Sequence, residues 1–429
     1  MKKSPAFVCA LLWLSMAFAA CSLGLDTTGS SRVTHPDTEL NLVDTSLPST
    51  YSLGAARSGT TKSNSATSDR SRAINPIQGL HIILRAEVAP PTASDGTSLQ
   101  ASHIAIAPNG KKAYVAYMER GDAKFGALDV FDVSNPSVPV LASSELFPGG
   151  DIAALTLDGN TLYLVGSKDD PGGNAWVLAL PLQGNGVMTA AYRERHLPGS
   201  FATDIQVASG RLYVTTATSA ASKSAGLYVL EAGNLSTVTA LDSSALDDLR
   251  SVVVDGDTIV VLSAQWPNDS ATAVPKLRFY GSKLLASPMD QALTGFNLQA
   301  EAKSDMTVID SYVFVACNLT GVAIFSTESH SLVSTIPPPN LDTAIVPRVN
   351  QSSNSLSSGK AGDKNLYFIA NGEAGMWVGD RESVTAAGNG IVGSIRFGQG
   401  QSVNCVAGKN TTVVAAVGTG GLKIMEFTK

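Results

Sequence analysis

A short apolar block recurs seven times along this chain of 429 residues. Each block is centred on an aromatic residue or on valine, and neighbouring centres are 47 to 54 residues apart. The centres are Tyr114, Tyr163, Tyr213, Val260, Phe314, Tyr367 and Val414. A period near 50 residues fits four strands and their turns, which is the size of one blade of a β-propeller. The repeat therefore predicts an all-β, seven-bladed propeller.

Turn signals join the strands around these blocks. Asn109-Gly110, Asp158-Gly159, Ser209-Gly210 and Asp255-Gly256 each stand between an alternating strand and the block that follows it. Such pairs supply the positive φ angles that tight hairpins require. The composition agrees, because 39 glycines and only 15% charged residues suit short strands better than long helices.

The last repeat ends at Lys429, after its third strand. Residues 80–88 (LHIILRAEV), ahead of the first repeat, have a strand-like pattern and no partner within a repeat. We expect this segment to supply the missing outer strand of blade seven. Such a closure pairs the two ends of the propeller and removes an open sheet edge.

The N-terminus has the features of an export signal. Lys2 and Lys3 precede an apolar stretch that ends in small residues before Cys21, a pattern similar to the bacterial lipobox. It predicts a signal peptide over residues 1–20 and acylation of Cys21, with palmitate among the acyl chains. Residues 21–76 are rich in Ser and Thr, which predicts a disordered tether, and residues 77–429 form the predicted propeller.

Charge and cysteine usage limit the classes of partner. The formal net charge is −6 and no basic block is present, which argues against nucleic acid as a partner. Cys317 and Cys405 lie in apolar runs of the predicted propeller, and we interpret them as small core residues.

Blade one carries two family resemblances. Residues 130–141 (VFDVSNPSVPVL) resemble the repeat of LVIVD-type bacterial propellers. Residues 105–116 (AIAPNGKKAYVA) are similar to a turn found in surface-layer and lactonase-like propellers. The resemblance implies an envelope-associated lipoprotein propeller, and it implies no catalytic set.

The common catalytic and metal-binding spacings do not occur. The sequence has no Gly-x-Ser-x-Gly, no phosphate-binding loop, no His-Glu-x-x-His and no Cys-x-x-Cys. We therefore expect a protein that is not an enzyme and that holds no metal and no cofactor.

The propeller geometry points to one face as a candidate site. The innermost strand of each blade begins at the mouth of the central channel, where ligands usually bind. The predicted strand starts carry a ring of polar residues, namely His103, Asp151, Asp204, Arg250, Asp305 and Asn404. They indicate either a funnel for a polar ligand or a wet channel mouth.

The loops that follow the apolar blocks reach the same face. They are long in blades one to four (118–125, 167–174, 217–224 and 264–275) and short in blades five to seven (318–320, 371–375 and 418–420). One half of the rim is thus predicted to be raised, and the opposite face carries one predicted insertion at 351–363. The raised loops hold a candidate recognition ridge of Trp266, Asp269, Asp169, Glu119 and Arg120.

Two hypotheses for function remain open at this point. The favoured one is a monomeric scaffold, lipid-anchored in the bacterial envelope at the outer membrane or cell surface, that binds a protein or a glycan. The alternative is a lactonase-like, metal-dependent hydrolase that uses the carboxylates of Asp151, Asp204 and Asp305.

Overall fold

A computed structural model describes residues 32–42, 77, 79–121, 123–169, 175–217, 225–242, 247–265, 274–281, 288–299, 303–384 and 389–429. The described residues form thirty strands in seven antiparallel sheets. The helical residues among them include two 3-10 turns, Arg348–Asn350 and Arg381–Ser383. The predicted all-β, seven-bladed propeller is confirmed.

Three strands precede the first blade: β1 (Val33–Thr34), β2 (Thr38–Leu40) and β3 (His81–Val88). Blade one contains β4 (Gln100–Ile106), β5 (Lys112–Met118), β6 (Phe125–Asp132) and β7 (Val140–Pro148). Blade two contains β8 (Gly150–Asp158), β9 (Thr161–Lys168), β10 (Ala175–Pro181) and β11 (Arg193–Leu197). Blade three contains β12 (Phe201–Ala208), β13 (Arg211–Ala217), β14 (Gly226–Glu231) and β15 (Thr237–Asp242).

Blade four contains β16 (Asp247–Asp255), β17 (Thr258–Gln265), β18 (Lys276–Tyr280) and β19 (Met289–Ala292). Blade five contains β20 (Met306–Ile309), β21 (Tyr312–Ala316), β22 (Val322–Ser326) and β23 (Leu332–Ile336). Blade six contains β24 (Ser355–Ala361), β25 (Lys364–Ala370), β26 (Met376–Asp380) and β27 (Ile391–Ile395). Blade seven contains β28 (Cys405–Lys409), β29 (Thr412–Ala416) and β30 (Leu422–Thr428).

The first strands of the blades surround a common axis. Each contacts the first strand of the next blade, and the series closes because β28 contacts β4. Within a blade each strand pairs with the one that follows it in sequence. The predicted hairpin turns join first to second strands, and Gly110, Gly159, Gly210 and Gly256 all have positive φ there. We call the face on which the first strands begin the top face.

The sheet that contains β28, β29 and β30 has six strands, and the other three are β1, β2 and β3. Strand β3 pairs antiparallel with β30, from His81 opposite Thr428 to Val88 opposite Leu422. Strands β1 and β2 both pair with the other edge of β3. The sequence predicts a disordered tether over residues 21–76. Of these, residues 32–42 are described, and they differ from the prediction because they contain the two short strands β1 and β2.

Burial and a salt bridge account for the order of this segment. Leu42 is buried among the side chains of Ile82, Phe427 and their neighbours. The Arg32 guanidinium lies 2.7 Å from the carboxylate of Asp129, a fully buried residue of β6 in blade one. We call residues 32–42 the N-terminal strap, because they join the edge of blade seven to blade one.

The hydrophobic core is divided among the blade interfaces. Seven clusters are found in the described residues, one between each pair of neighbouring blades. The cluster between blades seven and one, for example, packs Val414 and Ile424 against Val115 and Phe131. Because every blade contributes to two clusters, no blade has a free face.

Blade six corrects two predictions. Its apolar centre is Phe368 and not Tyr367, because Ala370 pairs with Ser355 as its equivalents pair in other blades. The insertion predicted at 351–363 on the opposite face is wrong, since β24 occupies most of it and a short turn leads to β25. The extra length lies at 337–354, between β23 and β24, and therefore on the top face.

Candidate functional site

The ladders between first and second strands define one level of the central channel. The equivalent residues at that level are His103, Ala154, Asp204, Ser251, Asp305, Ser355 and Cys405. The structure thus places three of the predicted funnel residues, His103, Asp204 and Asp305, at a common height. Arg250 and Asn404 each precede this level by one residue, and Asp151 precedes it by three.

A cavity of about 150 Å³ lies on the axis at this level and just below it. First strands of six blades line it, and its polar lining includes His103, Thr156, Asp204, Gln206 and Asp305. At about 30 Å³ per molecule, such a space holds on the order of five waters. The cavity is therefore large enough for water or for a small polar group.

Lys303 lies above this cavity, two residues before Asp305. Its ammonium donates a hydrogen bond to Nδ1 of His103 at 2.7 Å and another to the carbonyl oxygen of Ser102 at 3.3 Å. The Asp305 carboxylate is 3.8 Å away. The lysine side chain thus crosses the channel mouth from blade five to blade one. Sequence reasoning missed Lys303 because it assigned one residue to each strand start.

The environment of His103 favours a neutral ring. Burial, followed by the charge of Lys303, lowers the pKa of His103 well below its usual value. Since Nδ1 accepts from the lysine ammonium, the ring proton is assigned to Nε2. His103 therefore acts as a hydrogen-bond acceptor toward the channel mouth.

Asp204 holds neighbouring blades together. Its Oδ2 accepts the hydroxyl of Ser251 at 2.5 Å and the backbone amide of Val252 at 2.9 Å, both from blade four. Its Oδ1 accepts the amide of Ile205. Three donors satisfy this buried carboxyl, so the predicted funnel residue is bound to the protein itself.

Asp305 continues the same network. The Ser251 hydroxyl also lies 3.4 Å from Oδ1 of Asp305, which accepts the amide of Met306 at 2.9 Å. Burial raises the pKa of Asp305 to about 6, with Lys303 opposing the shift and Asp204 adding to it. Burial also raises the pKa of Asp204. The two carboxyls therefore compete for ionisation across Ser251.

Arg250 turns away from the cavity. Its guanidinium lies 2.6 Å from the carboxylate of Asp248, and both side chains are largely buried. Arg250 occupies a β-bulge, since Leu249 and Ser251 pair with consecutive residues of β17. The bulge directs the Arg250 side chain toward Asp248, so Arg250 is not part of the predicted funnel.

Asp151 belongs to the rim instead of the channel. Its Oδ1 accepts the amide of Phe125 at 3.2 Å, at the start of β6. Burial raises the pKa of Asp151 to about 7, and the nearby carboxylates of Asp169 and Glu119 add to the shift against Lys124. Lys124 forms a salt bridge of 3.0 Å with Asp169.

The rim loops of blades one and two thus meet in one charged group, which we call the rim cluster: Glu119, Lys124, Asp151 and Asp169. Arg120 is exposed beside it. The predicted ridge residues Glu119, Arg120 and Asp169 therefore share one region. Trp266 and Asp269 lie outside the described residues.

The short loops have a different role. Asn318 of blade five bridges to Ser353, Gly372 of blade six bridges to Val403, and Gly418 of blade seven bridges to Ala101. In each case the bridge reaches the segment that enters the next blade. These three loops therefore join blades and leave little backbone free on that half of the rim.

The carboxylates of the hydrolase hypothesis occupy two places. Asp204 and Asp305 share Ser251 at the axis, and Asp151 lies in the rim cluster. Among the described residues, no group of three or more His, Cys, Asp or Glu side chains is arranged to hold a metal ion. Cys317 and Cys405 are free and buried, and burial raises the pKa of both thiols.

A search of the described residues for a helix that is long and apolar enough to span a membrane finds none. The sequence matches no protein-family model and no curated protein. The resemblance of blade one to LVIVD-type propellers thus receives no support from these comparisons.

Proposed function

We propose that the propeller is a non-catalytic binding scaffold, and that it engages a protein or glycan through the raised half of its top face. The observation that carries this proposal is the rim cluster. Its charged groups stand on loops of two blades, whereas the loops of blades five to seven are engaged in bridges between blades. This half of the top face therefore offers exposed charged side chains, Arg120 and Asp169 among them, at the contact between blades one and two.

The composition of this surface suits selective recognition. Glu119 is half-buried, Arg120 and Asp169 are exposed, and Asp151 lies buried beneath them. Charges of both signs at fixed positions discriminate between partners, because a mismatched charge costs more than a matched one contributes. A protein or glycan with complementary polar groups is the kind of partner that we propose, bound by a monomeric propeller.

The test compares capture of envelope components by three immobilised proteins. The rim variant carries Glu119→Ala, Arg120→Ala and Asp169→Ala, and the control variant carries Glu328→Ala, Lys360→Ala and Asp363→Ala at exposed sites elsewhere. We expect one or more components to be retained by the wild type and the control and lost from the rim variant. Identical capture by all three proteins contradicts the proposal.

We also propose that Cys21 is acylated and anchors the propeller to an envelope membrane. Its support is the sequence pattern of residues 1–21, because Cys21 lies outside the described residues. Ten residues separate Cys21 from the strap, so the reach of the anchor is at most about 40 Å. Cys21→Ser should move the protein from the detergent phase to the aqueous phase, and a wild type already in the aqueous phase refutes the anchor.

Closure of the ring by β3 is the third part of the proposal. Its support is the ladder of seven residue pairs between β3 and β30. A scaffold that presents fixed loops needs a ring that does not open, and a ladder between the chain ends serves that need. Truncation of the chain before and after β3 tests this role.

A further inference from the structure

The ammonium of Lys303 is held by acceptors from two sides of the channel mouth. Blade one provides Nδ1 of His103 at 2.7 Å and the carbonyl oxygen of Ser102 at 3.3 Å. The Asp305 carboxylate, 3.8 Å away, provides the opposite charge. Two of the three N–H donors of this primary ammonium thus have acceptors within hydrogen-bond distance, and the carboxylate supplies an ion pair on the other side.

Two carboxyls, those of Asp305 and Asp204, are the acidic groups that interact with this ammonium, and its charge opposes the effect of burial on the pKa of both. Neutral His103 and the buried thiol of Cys405 carry no charge, and Asp204 is satisfied by Ser251, Val252 and its own strand. Asp305 has only one backbone amide and a long contact to Ser251 besides the lysine. Without Lys303, the Asp305 carboxylate and the His103 lone pair would face the channel mouth with no positive charge.

We propose that the mouth of the axial channel is a binding site for a primary ammonium group, and that Lys303 of this chain fills it. The site consists of His103, Ser102 and Asp305. In the wild type the lysine excludes external cations, so the channel mouth is closed. This inference is independent of the proposed rim site, because the two share no residue.

Chemical rescue tests the proposal. Lys303→Ala removes three methylene carbons and the nitrogen, and n-propylammonium replaces those atoms. A ligand that binds only the folded state raises the melting temperature in a saturable way. At pH 8 we expect n-propylammonium chloride to raise the melting temperature of Lys303→Ala and to leave that of the wild type unchanged.

Two controls separate the site from general salt effects. Tetramethylammonium chloride has the same charge and no N–H donor, and it should not rescue Lys303→Ala. In the double variant His103→Ala/Lys303→Ala the concentration of n-propylammonium needed for half-maximal rescue should rise at least about tenfold, which corresponds to about 1.4 kcal/mol. Rescue by both salts, or equal stabilisation of the wild type, overturns the proposal.

A second substitution keeps the test decisive if Lys303→Ala does not fold. Lys303→Met retains the length of the side chain and removes the ammonium, leaving the acceptors without a cation. We expect Lys303→Met to melt below the wild type at pH 8, since a buried charge that loses its partner is destabilising. A Lys303→Met protein that melts at or above the wild-type temperature shows that the acceptors need no ammonium, and it refutes the site.

Discussion

Among single residues, Asp204 shows how a channel carboxylate can hold a fold together. It accepts a hydroxyl and a backbone amide from the next blade, and Ser355 plays the same part by accepting the amide of Val406 at 3.2 Å. First strands of neighbouring blades have no ladder between them in the described residues. Side chains at the common level therefore supply hydrogen bonds that sheet pairing supplies elsewhere.

Substitution of these residues should lower stability according to the number of acceptors that are lost. We expect Asp204→Asn to reduce the free energy of unfolding by about 2 kcal/mol, because an amide has one acceptor oxygen and turns its own N–H donors toward donors that the second carboxylate oxygen now accepts. Ser355→Ala, which removes one neutral acceptor, should cost about 1 kcal/mol. Urea denaturation of both variants measures the difference, and an Asp204→Asn protein as stable as the wild type contradicts this role.

Asp151 provides a pH-dependent prediction. Its folded-state pKa of about 7 lies above the unfolded value near 3.8, so its contribution to stability is fully present below about pH 4 and is lost as the pH rises through 7. Asp151→Asn keeps an oxygen for the Phe125 amide and does not titrate. The melting temperature of the variant, relative to that of the wild type, should therefore increase from pH 4 to pH 8.

The comparison at pH 4 serves as the internal control, because a protonated carboxyl and an amide are both neutral there. A difference in melting temperature that stays constant from pH 4 to pH 8 shows that Asp151 ionises normally in the folded protein. That result would also mean that Asp151 is not a buried carboxyl of the rim cluster.

The positions of individual side chains at the candidate site were the part of the structure that the sequence predicted least completely. The order of residues within a strand placed His103, Asp204 and Asp305 at one level, because the seven first strands run in the same direction. It did not predict that Arg250 turns to Asp248 in a bulge, nor that Lys303 reaches across the channel. Both depend on where a long side chain ends, which strand patterning does not encode.

Among the elements, β24 and the strap departed most from expectation. Strand β24 (SLSSGKA) has little apolar alternation. It is ordered by hydrogen bonds that the hydroxyl oxygens of Ser355 and Ser357 accept from backbone amides of blade seven. The strap is short and polar, and its residues pair with residues of β3 that are 42 to 55 positions further along the chain. A strand that is held by contacts to a segment distant in sequence shows no local hydrophobic periodicity. Neither β24 nor the strap therefore had a sequence pattern as clear as that of the apolar blocks.

Truncations at the N-terminus separate the contributions of the strap and of β3. A chain beginning at residue 32 keeps every described contact and should melt as the full chain does. A chain beginning at residue 43 loses β1, β2 and Arg32, and leaves the fully buried Asp129 without its cation. We expect the free energy of unfolding of that chain to be lower by about 3 kcal/mol or more, because breaking a buried ion pair leaves an uncompensated charge in the interior.

Arg32→Met in the full chain is the matched variant, and it should reproduce most of this loss in a melting experiment. A chain beginning at residue 89 also loses β3, which leaves β30 as an unpaired edge, and it should be the least stable of the series. Equal melting temperatures for chains beginning at residues 32, 43 and 89 would exclude both the strap and β3 from closure.

For the whole molecule, the regular spacing of the blocks was sufficient to predict the blade count. Seven blocks correspond to seven sheets, and the turn signals mark the hairpins within them. The symmetry of the ring explains why this prediction was robust, since an error of one residue in blade six left the number of repeats unchanged. The unequal lengths of the loops after the apolar blocks break this symmetry in the sequence, and a periodic pattern cannot predict what such loops bind.

The closed ring leads to a prediction about cooperativity. In an open array of repeats, a terminal repeat has one interface and can unfold before the others. Here each blade shares a hydrophobic cluster with both neighbours, so loss of any blade disrupts two clusters.

Trp176 of blade two and Trp377 of blade six are buried in different clusters and report on distant parts of the ring. In single-tryptophan variants that retain one or the other, with phenylalanine at the remaining tryptophan positions, fluorescence-detected urea unfolding should give coincident midpoints. Midpoints that differ would show that the blades unfold separately and that the ring does not act as one cooperative unit.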